Sequence, residues 1–224
     1  MAGRAALSRE RVLAAAVAIA DTEGLKALTM RRLAADLGVE AMSLYHHLPS
    51  KDALLDGIVE AVIAEVRAEV PARSGEADWR TDIRGRFLTA RRVMLRHPWA
   101  PGLLTSRKAI PPIVYGYYDE IVGTLLAGGF SYRLAHRALH AFGSITLGFA
   151  QEMFSPGDTA AADDDLTEIA AFVPHIAAMV ESEIHAAGDP TLGWCDSQTE
   201  FEFTLDLLLN GLDDLRVRSG ETPG

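Results

Sequence analysis

The sequence is poor in the residues on which several protein classes depend. Cys195 is the one cysteine among 224 residues, which excludes an intramolecular disulfide framework and a cysteine-based zinc cluster. Aromatic residues make up 7% while Ala and Leu are plentiful, a balance that favours helix over a β-rich sandwich or barrel. No apolar run reaches the roughly 18 residues that a bilayer span needs. The start, Met1 to Leu7, has neither an apolar h-region nor a cleavage site, so a cytoplasmic protein with no membrane partner is expected. A basic surplus is also lacking. The formal net charge is −10, and evenly spread it would argue against nucleic acid as a partner.

It is not evenly spread. Residues 1–51 hold seven Lys/Arg against five acids, and residues 52–79 hold two against seven. Residues 80–108 hold eight basic residues against Asp82 alone, and residues 109–224 hold four Arg against eighteen acids. The acidity therefore belongs to the C-terminal half and says little about the N-terminus. The basic segment at 80–108 is a second candidate for polyanion contact, although a solvated helix face carrying Arg80, Arg84, Arg91 and Arg92 is the simpler expectation. With 49% hydrophobic residues the chain can bury a sizeable core.

The remaining pattern is helical throughout, with about ten helices and no strand signal. Ser8 is placed to cap a helix over about 9–23, with Val12, Ala16, Ile19 and Ala20 on one face and Gly24 beyond its end. Thr29 caps a short helix, Met30–Leu37, that Gly38 stops; a third short segment, Glu40–His47, ends before Pro49. Ser50 caps a long helix from Lys51 to about Val70. Residues 71–78 read as a linker, which gives a small domain over 1–51, a connecting helix over 52–71, a larger helical domain over 72–218 and a tail over 219–224. In the larger domain, helices are expected over Trp79–His97, Ile113–Ala127, from Ser131 to about Phe154, Leu166–Ala187 and about 198–217. Ala138–Ala150 is apolar nearly all round. In the last helix Phe201, Leu205, Leu208, Leu212 and Leu215 recur at spacings of four and three, a seam suited to a partner helix. Together these two segments predict a homodimer joined by two helices per chain.

The most specific feature is N-terminal. A helix, the turn Leu37-Gly38-Val39 and a short second helix form a helix-turn-helix, the geometry that lays its second helix in a DNA major groove. The run Thr29-Met30-Arg31-Arg32-Leu33-Ala34-Ala35-Asp36-Leu37-Gly38-Val39-Glu40-Ala41-Met42-Ser43-Leu44-Tyr45-His46-His47-Leu48-Pro49-Ser50-Lys51 resembles the DNA-binding signature of the TetR family of transcriptional regulators. Further on, Gly129-Phe130-Ser131, Ile145-Thr146-Leu147-Gly148-Phe149 and Phe201–Leu212 are similar to the C-terminal domain of the tetracycline-repressor subfamily. The resemblance covers most of the chain and is weakest over 72–128.

The resemblance implies an all-α fold and a homodimer that binds a near-palindromic operator in double-stranded DNA. It also implies release by a small-molecule effector, which makes the chain a ligand-responsive regulator, a repressor. Arg31 matches a base-contacting position, with a fork suited to guanine O6 and N7. Ala41, Met42 and Ser43 open the recognition helix, where Ala41 and Met42 can meet thymine methyls. Thr29, Ser43, Tyr45, His47 and Lys51 match phosphate-contacting positions, and His46 takes a place usually filled by an aromatic residue near the backbone. Leu33, Ala34, Leu37, Val39 and Leu44 are expected in the core.

An effector pocket is expected among Phe87, Met94, Trp99, Leu103, Tyr115, Tyr118, Phe142, Phe149, Met153, His175 and Met179, a set that suits an apolar or aromatic ligand. The dimer interface is expected at Phe142, Ile145, Phe149, Phe201, Leu205, Leu208 and Leu212, on the long helices at about 131–154 and 198–217. The tetracycline repressor holds a drug-bound magnesium with a histidine and, through water, an acid. Glu152 matches the acid, but the histidine position falls in Ala100–Thr105, which has none. Tetracycline–magnesium is therefore not the expected effector, and no metal or cofactor is assigned. Two other classes remain. A helical-bundle metal enzyme finds its one hint in His136 and His140 at i, i+4, without a Glu-x-x-His or His-Glu-x-x-His motif. A non-DNA-binding adaptor would share the fold, and Arg31, Tyr45 and Lys51 speak against it.

Overall fold

Hydroxyl side chains open four of the helices. Ser8, Thr29, Ser50 and Ser131 each accept the backbone N–H three residues on, at 3.2, 3.0, 3.0 and 3.3 Å, satisfying a donor that the first helical turn leaves open. Asp78 does the same for the fifth helix, taking the Thr81 N–H at 2.7 Å. The computed structural model describes residues 6–71, 78–107, 109–150, 172–175, 177–178 and 197–220. Among them are nine helices and no strand: α1 Arg9–Glu23, α2 Met30–Leu37, α3 Ala41–Tyr45, α4 Lys51–Glu69, α5 Trp79–Arg96, α6 Ala100–Ser106, α7 Pro112–Ala127, α8 Tyr132–Phe149 and α9 Ser197–Ser219. The sequence reading had not assigned α6, whose seven residues are too few for a hydrophobic period to show. No helix among the described residues is long and apolar enough to cross a membrane.

Residues 1–151 and 205–224 form one compact unit, and residues 152–204 a second. In the second unit the described residues include the start of α9 and a short helical stretch in which the Ala177 N–H bonds to the Val173 carbonyl at 3.0 Å.

In the first unit α1, α2 and α3 pack around Val12, Ala16, Leu28, Leu33, Leu44 and Leu48, all at or near zero exposure. Helix α4 closes this cluster through Leu54 and Ile58 and continues along α5, α6 and α7. Gly57 lets α4 approach α1, since a Cβ there would stand 2.6 Å from Leu13 Cδ2. The second cluster joins α5, α7 and α8. Phe87 stacks on Phe142 with ring centroids 4.8 Å apart, and Trp79 meets Phe130 edge-on at 4.6 Å. In α8 the buried residues Ala138, Phe142 and Thr146 form a single stripe, with Ile145 and Phe149 half-buried to its side.

The basic segment at 80–108 is not the solvated face expected of it. Arg91 is 1% exposed, and Arg86 is buried as well. Arg86 meets Asp82 at 3.3 Å and Glu120 at 3.1 Å, while Asp82 accepts the Thr124 hydroxyl at 2.7 Å. Arg84 pairs with Asp206 at 3.0 Å, Arg80 bonds to Asn210, Arg92 pairs with Glu69 at 3.1 Å, and Arg96 reaches Glu65 and Glu69. The cations of α5 thus fasten it to α4, α7 and α9. A helix whose cations are spent on neighbouring carboxylates has little left for a polyanion.

Candidate nucleic-acid interface

The α2–turn–α3 unit follows from local sequence. Thr29 fixes the start of α2. Gly38 ends it with φ 63° and ψ 41°, a left-handed conformation that costs an L-residue with a Cβ about 1–2 kcal/mol. The Val39 N–H returns to the Ala34 carbonyl at 3.0 Å and the Gly38 N–H to Ala35 at 3.1 Å, the paired bonds of a Schellman end. Leu33, Ala34 and Leu37 face inward from α2 and Leu44 from α3, so the buried faces set the angle between the helices. Val39, expected in the core, is half-buried.

The residues expected to meet DNA are left wholly or partly outside. Met42 is 71% exposed and Tyr45 41%, and Arg31, His46 and Lys51 are exposed. Ala41, Ser43 and His47 are half-buried. Arg31 and Arg32 are adjacent but differ in kind. Arg32 pairs with Glu23 at 2.6 Å and Asp36 at 3.3 Å, and the Glu23 hydrogen bond above all holds its guanidinium further above its usual range. Arg31 has no such partner among the described residues and keeps its five donors for an external acceptor. The Thr29 oxygen serves the Arg32 N–H, which leaves its O–H free to donate outward. An exposed thioether, a guanidinium, a phenol, two imidazoles and an ammonium on one helix-turn-helix can grip phosphates and touch base edges.

Two polar clusters tie α1 and α4, which flank this unit, to the helices behind them, and no sequence pattern marks either. After α6, Arg107 Nε meets Asp56 at 2.6 Å and its fork meets Asp52 at 3.4 Å, in the first turns of α4 beside Lys51. The Asp56 hydrogen bond raises the Arg107 guanidinium. At the end of α5, His97, 6% exposed, turns Nδ1 to Asp21 of α1 at 2.8 Å and Nε2 to Glu65 of α4 at 3.2 Å. The Trp99 indole N–H donates to the same Asp21 oxygen at 2.6 Å. Burial pushes the Glu65 carboxyl up, and hydrogen bonds from Arg96 and His97 outweigh it, so that it lies below its ordinary value. No local motif marks these residues, because their partners lie dozens of positions away.

The residues expected to line an effector pocket differ in burial. Phe87, Met94, Leu103 and Phe142 are buried in the core. Trp99, Tyr118 and Phe149 are half-buried, and Tyr115 is 58% exposed. His175 is exposed, whereas Met153 and Met179 lie outside the described residues, as does Glu152. A narrow apolar recess lies between α4, α5 and α6, lined by Val59, Val62, Ile63, Met94, Ala100 and Leu104. Of the expected residues Met94 alone lines it. His136 and His140 are exposed and meet edge to face at 4.7 Å, and no third His, Cys, Asp or Glu joins them among the described residues.

The residues expected at a subunit interface differ in burial within the single chain. Phe142, Phe201 and Leu205 are fully buried within the single chain and Leu212 nearly so, so they have almost no area left to lose to a second copy. Ile145, Phe149 and Leu208 are half-buried. On α9 the apolar side chains left outside are Phe203, Leu207, Leu215 and Val217, from 49% to 70% exposed.

Comparison with known proteins agrees with this geometry. Residues 12–58 match the family described as bacterial regulatory proteins, tetR family, and residues 70–216 match the tetracyclin repressor-like C-terminal domain. A transcriptional regulator of the helix-turn-helix type from Saccharopolyspora erythraea is 39% identical over 124 residues, 55% of this chain and 51% of the relative. A helix-turn-helix transcriptional repressor, DrrR1, from Streptomyces coeruleorubidus is 37% identical over 52% of this chain and 42% of its own length. The chain thus spans about half or less of the length of these two relatives. The class C tetracycline repressor of Escherichia coli is 30% identical over 96% of this chain and 94% of that protein. Among solved structures, ActR from Streptomyces coelicolor without ligand superposes with a TM-score of 0.71 at 27% identity, covering 95% of this chain and 98% of that one. Both ends of the molecule, the capped helix-turn-helix and the helical part behind it, place the chain in the TetR family of regulatory proteins.

Proposed function

We propose that this chain is a ligand-responsive transcriptional regulator, a repressor, that binds a near-palindromic operator as a homodimer and lets go when a small molecule binds. The observation that carries the reading is the exposed set on α2 and α3, with Arg31 unpaired beside a fully paired Arg32. Arg31, Ala41, Met42 and Ser43 read bases; Thr29, Tyr45, His46, His47 and Lys51 hold the backbone. Two-fold symmetry doubles a modest contact set and sets half-sites about one helical turn apart. Phe203, Leu207, Leu208 and Leu215 of α9 and Ile145 and Phe149 of α8 supply apolar surface for the second copy. The acids of the C-terminal half keep that half off the DNA.

An organic effector without a metal fits the residues present. Leu104 stands in the stretch where the subfamily has its histidine, and an apolar side chain there offers a metal no ligand. ActR has been solved in complex with actinorhodin, and that protein's occupancy by an organic ligand supports the same class of effector here. The chain works in the cytoplasm, where its operator is.

The test is selection of binding sites from random double-stranded DNA by the full-length protein, then mobility shifts on the enriched site. Lys51→Ala should weaken binding to all sequences and lower the slope of log K against log salt by about one contact's worth. Arg31→Ala should cost about 1–3 kcal/mol on the preferred site and relax preference at one base pair per half-site. A pool without enrichment, or an enriched site bound equally by both variants, rejects the assignment.

A further inference from the structure

We infer that His97, with Trp99, is a positioning residue that makes α1 and α4 move as one body with the α5–α6 corner, and so fixes the half-site spacing that the dimer accepts. The inference rests on the operator-binding reading above and goes beyond it to the way the recognition helices are aimed.

The geometry is unusual in what one side chain holds. His97 ends α5, is buried, and places one ring nitrogen on Asp21 of α1 and the other on Glu65 of α4. Trp99, at the start of α6, adds its N–H to Asp21 from the same corner. Asp21 lies in the last turns of α1 and Glu65 in the last turns of α4, so the grip is on two different helices. Leu54, Ile58 and the Arg9–Glu60 pair at 2.7 Å join the first half of α4 to α1, so the four N-terminal helices form a head that can rock as a unit unless its far end is held. Holding α1 as well removes that rocking. Arg96, one residue earlier, fastens Glu65 and Glu69 of α4 and leaves α1 untouched, so His97 and Trp99 are the groups that add the second hold. At the other end of α6, Arg107 fastens only α4, through Asp52 and Asp56.

None of these residues is in the DNA-contacting set. Their loss should leave base preference alone and relax geometry. One base pair inserted between half-sites turns one half-site relative to the other by about 34–36° and shifts it by about 3.4 Å. A dimer with fixed recognition helices must pay for this, whereas one with rocking helices can follow.

The experiment uses the full-length protein and the site selected above, at its native spacing and with one base pair added or removed at the centre. Wild type should lose about tenfold or more in affinity on the altered spacings, and His97→Ala and Asp21→Ala should reduce that loss to about threefold or less. The half-site sequence that each variant selects should be unchanged. Trp99→Phe, which keeps both His97 bonds, should fall between; it also keeps the test open if His97→Ala does not fold. A spacing penalty unchanged in folded Asp21→Ala and Trp99→Phe, or no penalty in wild type, overturns the inference while leaving operator binding intact. Failure of wild type to select any site instead overturns the operator reading.

Discussion

Asp82→Ala is the sharpest test of how α5 is held in the core. Asp82 and Arg86 are one turn apart, with side chains only 4% and 10% exposed. The carboxylate serves two donors, Arg86 Nε at 3.3 Å and the Thr124 hydroxyl at 2.7 Å. Removing one member of a buried pair costs about 3–5 kcal/mol, since the other stays buried without its counter-charge. Here the lower part of that range applies, because Arg86 keeps Glu120 at 3.1 Å and Glu120 is partly exposed. The stranded Thr124 hydroxyl adds up to about 1 kcal/mol. The expected loss is therefore about 3–4 kcal/mol, read as a fall in the urea midpoint at fixed protein concentration with an unchanged slope. Thr124→Val, which removes one donor only, should cost about 1 kcal/mol. The double replacement Asp82→Leu with Arg86→Met should cost less than Asp82→Ala, because it leaves no unpaired charge. If Asp82→Ala costs under about 1 kcal/mol, or if the double replacement is the worse of the two, the buried carboxylate does not hold Arg86.

Two further outcomes follow from local geometry and from charge. Gly38→Ala should lose about 1–2 kcal/mol on chemical denaturation, the cost of a Cβ in the left-handed region, and should weaken operator binding by displacing α3; an unchanged midpoint would show that the turn adopts another conformation. Glu65, held below its ordinary value by Arg96 and His97, contributes stability that is complete above the unfolded carboxylate value and disappears as pH falls through the lower folded one. Wild type should therefore lose thermal stability more steeply than Glu65→Gln as pH is lowered from about 5 to 3, and parallel profiles in a melting series would refute the pairing.

The parts legible in the sequence are those written in neighbouring residues. Caps at Ser8, Thr29, Ser50 and Ser131 and the stop at Gly38 depend on bonds spanning three to five positions, so residue type and spacing suffice to place them. The outward side of α2 and α3 was readable for the same reason: a short helix-turn-helix has little choice about which side faces out. The polar clusters were not readable. Arg86 finds Glu120, Arg84 finds Asp206, and His97 finds Asp21 across separations of 34, 122 and 76 residues. A run of cations looks identical in sequence whether it is solvated or spent on distant carboxylates. Hydrophobic periodicity has the same blindness. The spacing of Phe201, Leu205 and Leu212 marks them for burial and is equally compatible with a helix shared between its own core and a second subunit. Periodicity specifies that a stripe is covered and is silent on what covers it. In the single chain all three are buried, while the residues the seam passes over, Phe203 and Leu207, sit 61% and 54% exposed on the same helix.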